Sequence, residues 1–391
     1  MNLSYRAKSF TESVIREMTR VCDEMNGINL SQGFPDFAAP QEIKEAAVKA
    51  IKEDINQYSV TFGSPALRQA IARKALEFNN ILADPETEIT VTCGATEAMI
   101  STMNALINPG DEVVIFEPFY ENYGPDTILS GAEPKFVSLY PPAWNYDYEE
   151  LKAAFSDKTK AIIINTPNNP TGKVFSRTEL EEIADLCIKH DAIAVCDEIY
   201  EHIVYDNNRH TSMATLDEMK DRTVTINSIS KTYSLTGWRI GWAIANSEIT
   251  QSIRTVHDFL TVGAPSPLQE AAAHALTLDD SYYDQLQSRY TQARSFMYDT
   301  LVNNWFKPYP CQGAYYFLTD ANDWMREMNI KNDTEFSLQL IKLTGVATVP
   351  GTSFYSDKTK ESGFVRFCFC KSEQTLIAAA EALGTLKAHI Y

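Results

Sequence analysis

Lys231 sits in Ser228-Ile-Ser-Lys-Thr-Tyr-Ser-Leu-Thr-Gly-Trp-Arg-Ile-Gly-Trp242, directly after the apolar-leaning run Val224-Thr-Ile-Asn227. A lysine so placed is poorly solvated, which favours its neutral amine and makes it a nucleophile toward carbonyl carbon. The hydroxyls of Ser228 and Ser230 and the guanidinium of Arg239 are what a buried phosphate monoester needs for charge-assisted hydrogen bonds. An aldehyde that carries a phosphate and is held by a lysine imine describes pyridoxal 5'-phosphate. Ser-x-Ser-Lys alone is common in loops, so this reading depends on whether the remaining parts of such a site occur.

Cys196-Asp-Glu-Ile-Tyr200 places a carboxylate at the tip of the apolar run Ala192–Cys196. A buried acid is costly unless a cation meets it, and a pyridinium N–H is such a cation. Asp197 is the candidate for that pairing; a solvated strand-end residue is the plain alternative. Tyr200, three residues on, can bond the phenolic oxygen of the same ring. Asn165-Thr-Pro-Asn-Asn-Pro-Thr-Gly172 carries two prolines and a glycine after another apolar run. That punctuation fixes a loop from which the amides of Asn165 and Asn169 can project with little entropy loss. In Thr92-Cys-Gly-Ala-Thr-Glu97, Gly94 permits a tight turn, and the amides of Ala95 and Thr96 open a helix, a natural anion site. Glu117-Pro-Phe-Tyr-Glu-Asn-Tyr123 offers aromatic faces that either stack on a ring or pack in the core. Near the C-terminus, Gly363-Phe-Val-Arg-Phe-Cys-Phe-Cys370 alternates as a strand, with Arg366 opposite Val365, Phe367 and Phe369. An arginine there needs an anion, either a structural acid or the α-carboxylate of a substrate.

These residues need a scaffold that brings them together. Short β-rich runs are expected at Ile89–Thr92, Glu112–Phe116, Ala161–Asn165, Ala192–Cys196, Val224–Asn227 and Arg239–Ala243. Helical patterns follow at Ala95–Ile107 and Ser176–His190, the latter with Leu180, Ile183, Ala184, Leu186 and Cys187 near helical spacing. Such alternation predicts an α/β fold with a mostly parallel sheet sandwiched by helices, with ligands beyond the carboxyl ends of the strands. A long helix over Pro267–Asn304 then leads to mixed structure. Two domains are expected: a large one over 44–275, and a smaller α+β one from 1–43 with 276–391.

The chain has 391 residues, 44% hydrophobic and 22% charged, with a formal net charge of −18. That charge argues against nucleic acid or an anionic membrane as partner. The opening residues lack the apolar core of a secretory signal, and no apolar stretch approaches a membrane span. The seven cysteines are scattered through core-like runs, which suggests reduced thiols and a cytoplasmic protein. Cys368 and Cys370 are expected on opposite strand faces, unable to chelate one metal, and no metal site is expected.

Taken together, these residues resemble the fold-type I, class I/II pyridoxal-phosphate-dependent aminotransferases over nearly the whole chain. The matching elements are Ser31-Gln-Gly-Phe-Pro-Asp-Phe37, Gln57-Tyr58, Phe62-Gly63, Gly94-Ala-Thr96, the Asn165–Gly172 loop, Asp197-Glu-Ile-Tyr200, Ser228-Ile-Ser-Lys231, Gly237-Trp-Arg239 and Arg366. The resemblance implies a seven-stranded sheet in the large domain and amino transfer from an L-amino acid to a 2-oxo acid by a ping-pong route. It implies that Lys231 holds the cofactor covalently and shuttles the substrate proton, and that Asp197 keeps the pyridine nitrogen protonated. Asn169 and Tyr200 would bond the phenolic oxygen, and Tyr120 would stack on the ring. The phosphate would fall to the Gly94 turn with Ala95, Thr96, Ser228 and Arg239, joined by Tyr58 of a neighbouring subunit in a homodimer. Gly33, Asn169 and Arg366 would take the substrate carboxylate.

Within the family the chain is most similar to the kynurenine aminotransferase/glutamine transaminase K and bacterial methionine/aromatic branch. It departs from that branch at Ile15, where an aromatic is frequent, at Val262-Gly263 after His257, where a Phe-His pair is found, and at Thr96. No second arginine marks a dicarboxylate pocket. A carbon–sulfur β-lyase on the same scaffold is the alternative, since both reactions begin by removing the α-proton. A non-catalytic sensor would carry a basic helix-turn-helix ahead of this fold, whereas only some thirty residues precede Gly33 in an acidic chain.

Overall fold

The computed structural model describes residues 4–10, 12–359 and 362–389; residues 1–3, 11, 360, 361, 390 and 391 of the expected small domain lie outside the described residues. Seven strands form the central sheet: β1 (Ile89–Thr92), β2 (Glu112–Glu117), β3 (Glu133–Ser138), β4 (Thr159–Asn165), β5 (Ile193–Asp197), β6 (Thr223–Ser228) and β7 (Gly241–Ile244). Their spatial order is β1-β7-β6-β5-β4-β2-β3. All pairings are parallel except those of β7, which runs antiparallel to both β1 and β6.

The inner strands β2, β4 and β5 carry the near-continuous apolar runs Val113–Phe116, Ala161–Ile164 and Ile193–Cys196 because both faces are covered. Ala161 and Ile163 of β4 join one core with Met99, Met103 and Ile253 from the helices Ala95–Leu106 and Ser247–Leu260. Ile162 and Ile164 join the opposite core with Leu180, Ile183 and Cys187 of the helix Arg177–His190. That helix starts at a capping box, Ser176 accepting from the Glu179 amide while the Glu179 carboxylate accepts from the Ser176 amide. Truncating Ile163 to Ala in this double-sided core would cost about 2–5 kcal/mol.

The register places the site. Asn165 lies beside Asp197, Asp197 beside Ile226, and Gly241 faces both Ser228 and Thr92. The ends of β1, β4, β5 and β6 therefore lie along one edge of the sheet. The start of β7 lies there too, because β7 runs the other way. Arg239 is thus not the first strand residue, as its sequence suggested. It follows the short turn Thr236–Trp238 in a left-handed conformation with φ 57°, and it reaches the same edge from the opposite direction.

Two further elements differ from expectation. β3 is a seventh strand at the sheet edge, where Pro134 and Lys135 are tolerated and where the residues are mostly half-exposed. The expected helix over Pro267–Asn304 is two helices, Ser266–Ala275 and Asp280–Asn303. The second begins where the Asp279 side chain accepts from the Ser281 amide at 2.9 Å.

A second, antiparallel sheet holds Phe364–Cys368 between Tyr316–Asp320 and Val349–Pro350, with Lys307–Pro308 at the edge. Phe317, Val365 and Phe367 pack there with Met297 and Leu301 of one helix and Leu376 and Leu383 of another. Ile28–Asn29 pairs in parallel with Val346–Ala347, which ties the N-terminal segment to this sheet. Cys368 and Cys370 do not diverge as expected. Residues two apart on a strand share a face, and the two buried thiols lie close enough to shift each other's titration, Cys368 down and Cys370 up. Among the described residues no helix is long and apolar enough to cross a membrane.

Candidate active site

A cavity of about 530 Å³ opens at the strand-end edge. Gly33, Ala95, Thr96, Tyr120, Asn169, Asp197, Tyr200, Ser228, Lys231, Arg239 and Arg366 all line it, so eleven candidates from scattered segments converge. Gly94 stands behind the wall: a Cβ built there would meet Arg239 Nη2 at 2.4 Å, and one at Gly241 would meet the Ala95 nitrogen at 2.5 Å. Tyr58 does not line this chain's cavity, and its side chain is 87% exposed.

Lys231 is half-buried at the cavity wall. Its ammonium donates to the Gly33 carbonyl at 3.0 Å, and no carboxylate among the described residues pairs with it. Burial pushes its pKa down to about 8, an effect that nearby Cys370 and Asp197 only partly oppose. Asp197 is the mirror case. Burial pushes its carboxyl up to about 6, while the hydrogen bonds from Tyr123 and the Ile199 amide pull the other way. Tyr123 Oη donates to Asp197 Oδ2 at 2.7 Å, and the Ile199 amide donates to Oδ1 at 3.3 Å. An acid held by two neutral donors in a dry site still wants a cation, and a pyridinium N–H supplies one.

The loop after β4 is fixed by its own asparagines. Asn165 Nδ2 donates to the Asp197 carbonyl at 3.0 Å, and its Oδ1 accepts from the Asn169 amide at 2.7 Å. Both asparagines line the cavity, but Asn165 is spent on the scaffold, which leaves Asn169 as the amide with a nitrogen to offer. Asn169 Oδ1 accepts from Arg366 Nη1 at 2.7 Å, while its Nδ2 has no protein acceptor among the described residues. Arg366 also donates through Nη2 to the Ser31 carbonyl. Its guanidinium lies 4.3 Å from the Tyr316 ring centre, and its buried Nε has no partner. A buried guanidinium with an orphan donor and no acid beside it fits an arriving carboxylate.

At the phosphate end, Ala95 and Thr96 occupy the first turn of the helix Ala95–Leu106, and their amides have no acceptor among the described residues. Behind that turn Glu97 receives the Cys93 amide at 2.5 Å and His257 Nδ1 at 2.5 Å. The other ring nitrogen of His257 meets the Thr61 carbonyl at 2.8 Å.

Several cavity residues escaped the sequence reading. Tyr123 and Tyr316 resembled ordinary core aromatics, although each contacts a candidate, Tyr316 Oη lying 2.9 Å from Tyr200 Oη. Asp126, one turn beyond Tyr123, was signalled only by a charge inside an apolar helix. Burial raises its carboxyl to about 7, and its Oδ2 is unpartnered. Arg16 lines the mouth beside Ile15, so the pocket does hold a further guanidinium.

The dry acid, the low-pKa amine and the orphan amides at a helix start fit a phosphorylated pyridine aldehyde. The pattern of the family described as aminotransferase class I and II matches residues 25–383. The chain belongs to that family, and it is an aminotransferase. It is 37% identical to kynurenine–oxoglutarate transaminase 1 of Homo sapiens and 35% identical to methionine aminotransferase of Escherichia coli, with 96% of each chain covered in both comparisons. The solved structure of N-succinyldiaminopimelate aminotransferase from Mycobacterium tuberculosis superimposes with a TM-score of 0.94 at 36% identity, over 99% of this chain and all of that one. All three are named transaminases or aminotransferases, which favours amino transfer over the carbon–sulfur elimination considered above.

Proposed function

We propose that this aminotransferase uses pyridoxal 5'-phosphate held by its own cavity residues, and that it works as a cytoplasmic homodimer. The observation that carries the reading is the pairing of a low-pKa amine, Lys231, with an under-compensated buried acid, Asp197, across one cavity. The bound cofactor supplies an electron sink that stabilises negative charge at the substrate Cα. Asp197 would keep the ring nitrogen protonated, with Tyr123 orienting the carboxylate. Asn169 Nδ2 and Tyr200 Oη would hold the phenolic oxygen, and Tyr120 would lie against the ring. The Ala95 and Thr96 amides, Ser228 and Arg239 would bind the phosphate beside Gly94.

Arg366 and the Gly33 amide would orient the substrate by its α-carboxylate, which places the Cα hydrogen before Lys231 Nζ. An amine of pKa about 8 is partly neutral at physiological pH, as a group that takes and returns the Cα proton must be. Exposed Tyr58, together with Val60, Phe259, Leu260 and Val262, supports an apolar face that a second copy would cover, bringing Tyr58 to the partner's phosphate. The division into 44–275 and 1–43 with 276–391 is proposed on the same basis, the second sheet lying wholly in the latter.

The relatives' names span kynurenine, methionine and N-succinyldiaminopimelate, so the donor is best found by experiment. Half-reactions with each of twenty L-amino acids, followed by loss of the visible absorbance of the bound cofactor, test the proposal. At least one donor should bleach that band, and a 2-oxo acid should restore it. Purified protein that stays colourless after reconstitution would refute the reading.

A further inference from the structure

Lys371 is a buried cation that the reaction described above does not use. Its residue is 4% exposed, and no carboxylate oxygen lies within 4.0 Å of its ammonium among the described residues. Its partners are two backbone carbonyls, Phe34 O at 2.8 Å and Gln32 O at 3.3 Å, together with the Phe34 ring at 3.9 Å. The other buried lysines, Lys74 and Lys173, each face a glutamate. A buried ammonium with no carboxylate beside it is expensive, so it persists where its geometry is needed.

The two carbonyls flank Gly33, and the turn between them is unusual in its donors. Four successive carbonyls, Ser31 to Phe34, each accept from a buried or cavity-facing side chain: Arg366, Lys371, Lys231 with Tyr315, and Lys371 again. The Phe34 amide also closes back on the Gln32 carbonyl at 2.9 Å. That leaves the Gly33 amide without an acceptor among the described residues, at the cavity wall beside Arg366. A Cβ at this position would meet Tyr316 Oη at 1.9 Å, so the turn has no room to shift inward. Lys231 would have to leave the Gly33 carbonyl to hold a cofactor covalently. The Lys371 contacts to the two carbonyls that flank Gly33 involve no group of that chemistry.

We propose that Lys371 is a positioning residue for the substrate α-carboxylate. It clamps the carbonyls on either side of Gly33, so that the free amide stays aimed into the cavity. This rests on the reading that Arg366 and the Gly33 amide receive that carboxylate.

The test compares Lys371→Met, Lys371→Arg and Arg366→Gln in the holoenzyme, using an amino acid donor and the primary amine that lacks only its carboxylate. Lys371→Met should raise KM for amino acid and 2-oxo acid about tenfold, the scale of one charge-assisted hydrogen bond. The drop in kcat should be much smaller, and cofactor absorbance should be retained. Reaction of the amine should be unchanged, and Lys371→Arg should recover most of the loss. Unchanged KM, or equal losses for amine and amino acid, would overturn the proposal. If Arg366→Gln alone raises KM, the carboxylate reading stands and only Lys371 is wrong; if neither does, both fall. Should the methionine variant fail to fold, Lys371→Gln, which keeps a donor without the charge, must give the same split.

Discussion

Lys231 and Lys74 lie near opposite ends of one short segment, Asp197–Glu201; Lys74 is buried, and Lys231 is half-buried at the cavity wall. Lys74 meets two acceptors, the Glu201 carboxylate and Asn79 Oδ1 at 2.8 Å, while Asn79 Nδ2 donates to the second Glu201 oxygen at 2.7 Å. Burial alone would raise the Glu201 carboxyl, yet the Lys74 charge, with His202 and His210, holds it down at about 2. Lys231 meets one carbonyl, and its nearest acid of consequence, Asp197, is itself raised to about 6. The same chain segment thus supports a closed ion pair at one end and an open one at the other. Burial by itself does not mark a reactive lysine; burial without an adequate counter-charge does, because only then is the neutral amine within reach of physiological pH.

The widest gap between the two should appear on truncation. Lys231→Ala should abolish the visible absorbance of covalently held cofactor and lower turnover by roughly 10²–10⁴-fold or more, the range for loss of a positioned proton carrier. Circular dichroism and the unfolding midpoint should hardly change. A variant that transaminates normally would remove Lys231 from the chemistry.

Lys74→Met should do the reverse. It leaves the Glu201 carboxylate buried without its cation, so stability should fall by about 3–5 kcal/mol, read as a lower urea midpoint. Turnover per folded molecule should stay near wild type. Adding Glu201→Gln should return part of the loss, since the orphan charge is then gone. A Lys74→Met protein of normal stability but poor turnover would erase the contrast drawn between the two lysines.

How far this contrast was legible beforehand depended on what kind of signal each residue leaves. Strands β2, β4 and β5 were visible because a strand buried on both faces is a nearly unbroken apolar run, and β1 and β6 because Ile-Thr-Val-Thr and Thr-Val-Thr-Ile are rich in β-branched residues. β3 was not, because an edge strand keeps Pro134 and Lys135 and loses that signature. Lys231, Asp197 and Arg366 stood out as charges inside apolar surroundings. Tyr123 and Tyr316 did not, since a phenol that orients a carboxylate or walls a pocket looks like any core aromatic until its oxygen is located. Arg239 was assigned to the right edge of the sheet for the wrong reason. Its left-handed backbone and the antiparallel sense of β7 are pairing facts, which a local pattern does not carry. The Lys371 clamp was similarly invisible, because its partners are backbone carbonyls more than three hundred residues away.

The open end can be sharpened by pH. Because the Lys231 pKa is lowered to about 8 from its ordinary value, the neutral amine becomes the majority form above that pH. Protein stripped of cofactor should therefore recapture pyridoxal 5'-phosphate faster as pH rises, about fivefold between pH 7 and 8, then level off. Stopped-flow absorbance would follow it. A flat profile, or one still climbing steeply toward pH 10, would mean that the site does not depress this amine.

His257 supplies the subtlest comparison, a closed pair placed directly behind the candidate phosphate turn. Both ring nitrogens face acceptors, the Glu97 carboxylate at 2.5 Å and the Thr61 carbonyl at 2.8 Å, so the ring is satisfied only with both protons. Burial opposes the charge, but the hydrogen bond and charge of Glu97 and the Thr61 carbonyl outweigh it, and the pKa is raised. A raised folded-state pKa stabilises the protein fully below the unfolded value near 6.5, and that contribution is lost as pH climbs through the folded value. The melting temperature of the wild type should accordingly decline over that rise more than that of His257→Gln, which has no ring to titrate. Because Thr61 stands three residues from Tyr58, the variant should also release cofactor somewhat faster at low pH, where the imidazolium tie is intact in the wild type. Parallel melting curves across the whole range would show that the Glu97–His257 tie does not depend on the second proton, and would set it apart from the Lys74–Glu201 pair it is compared with here.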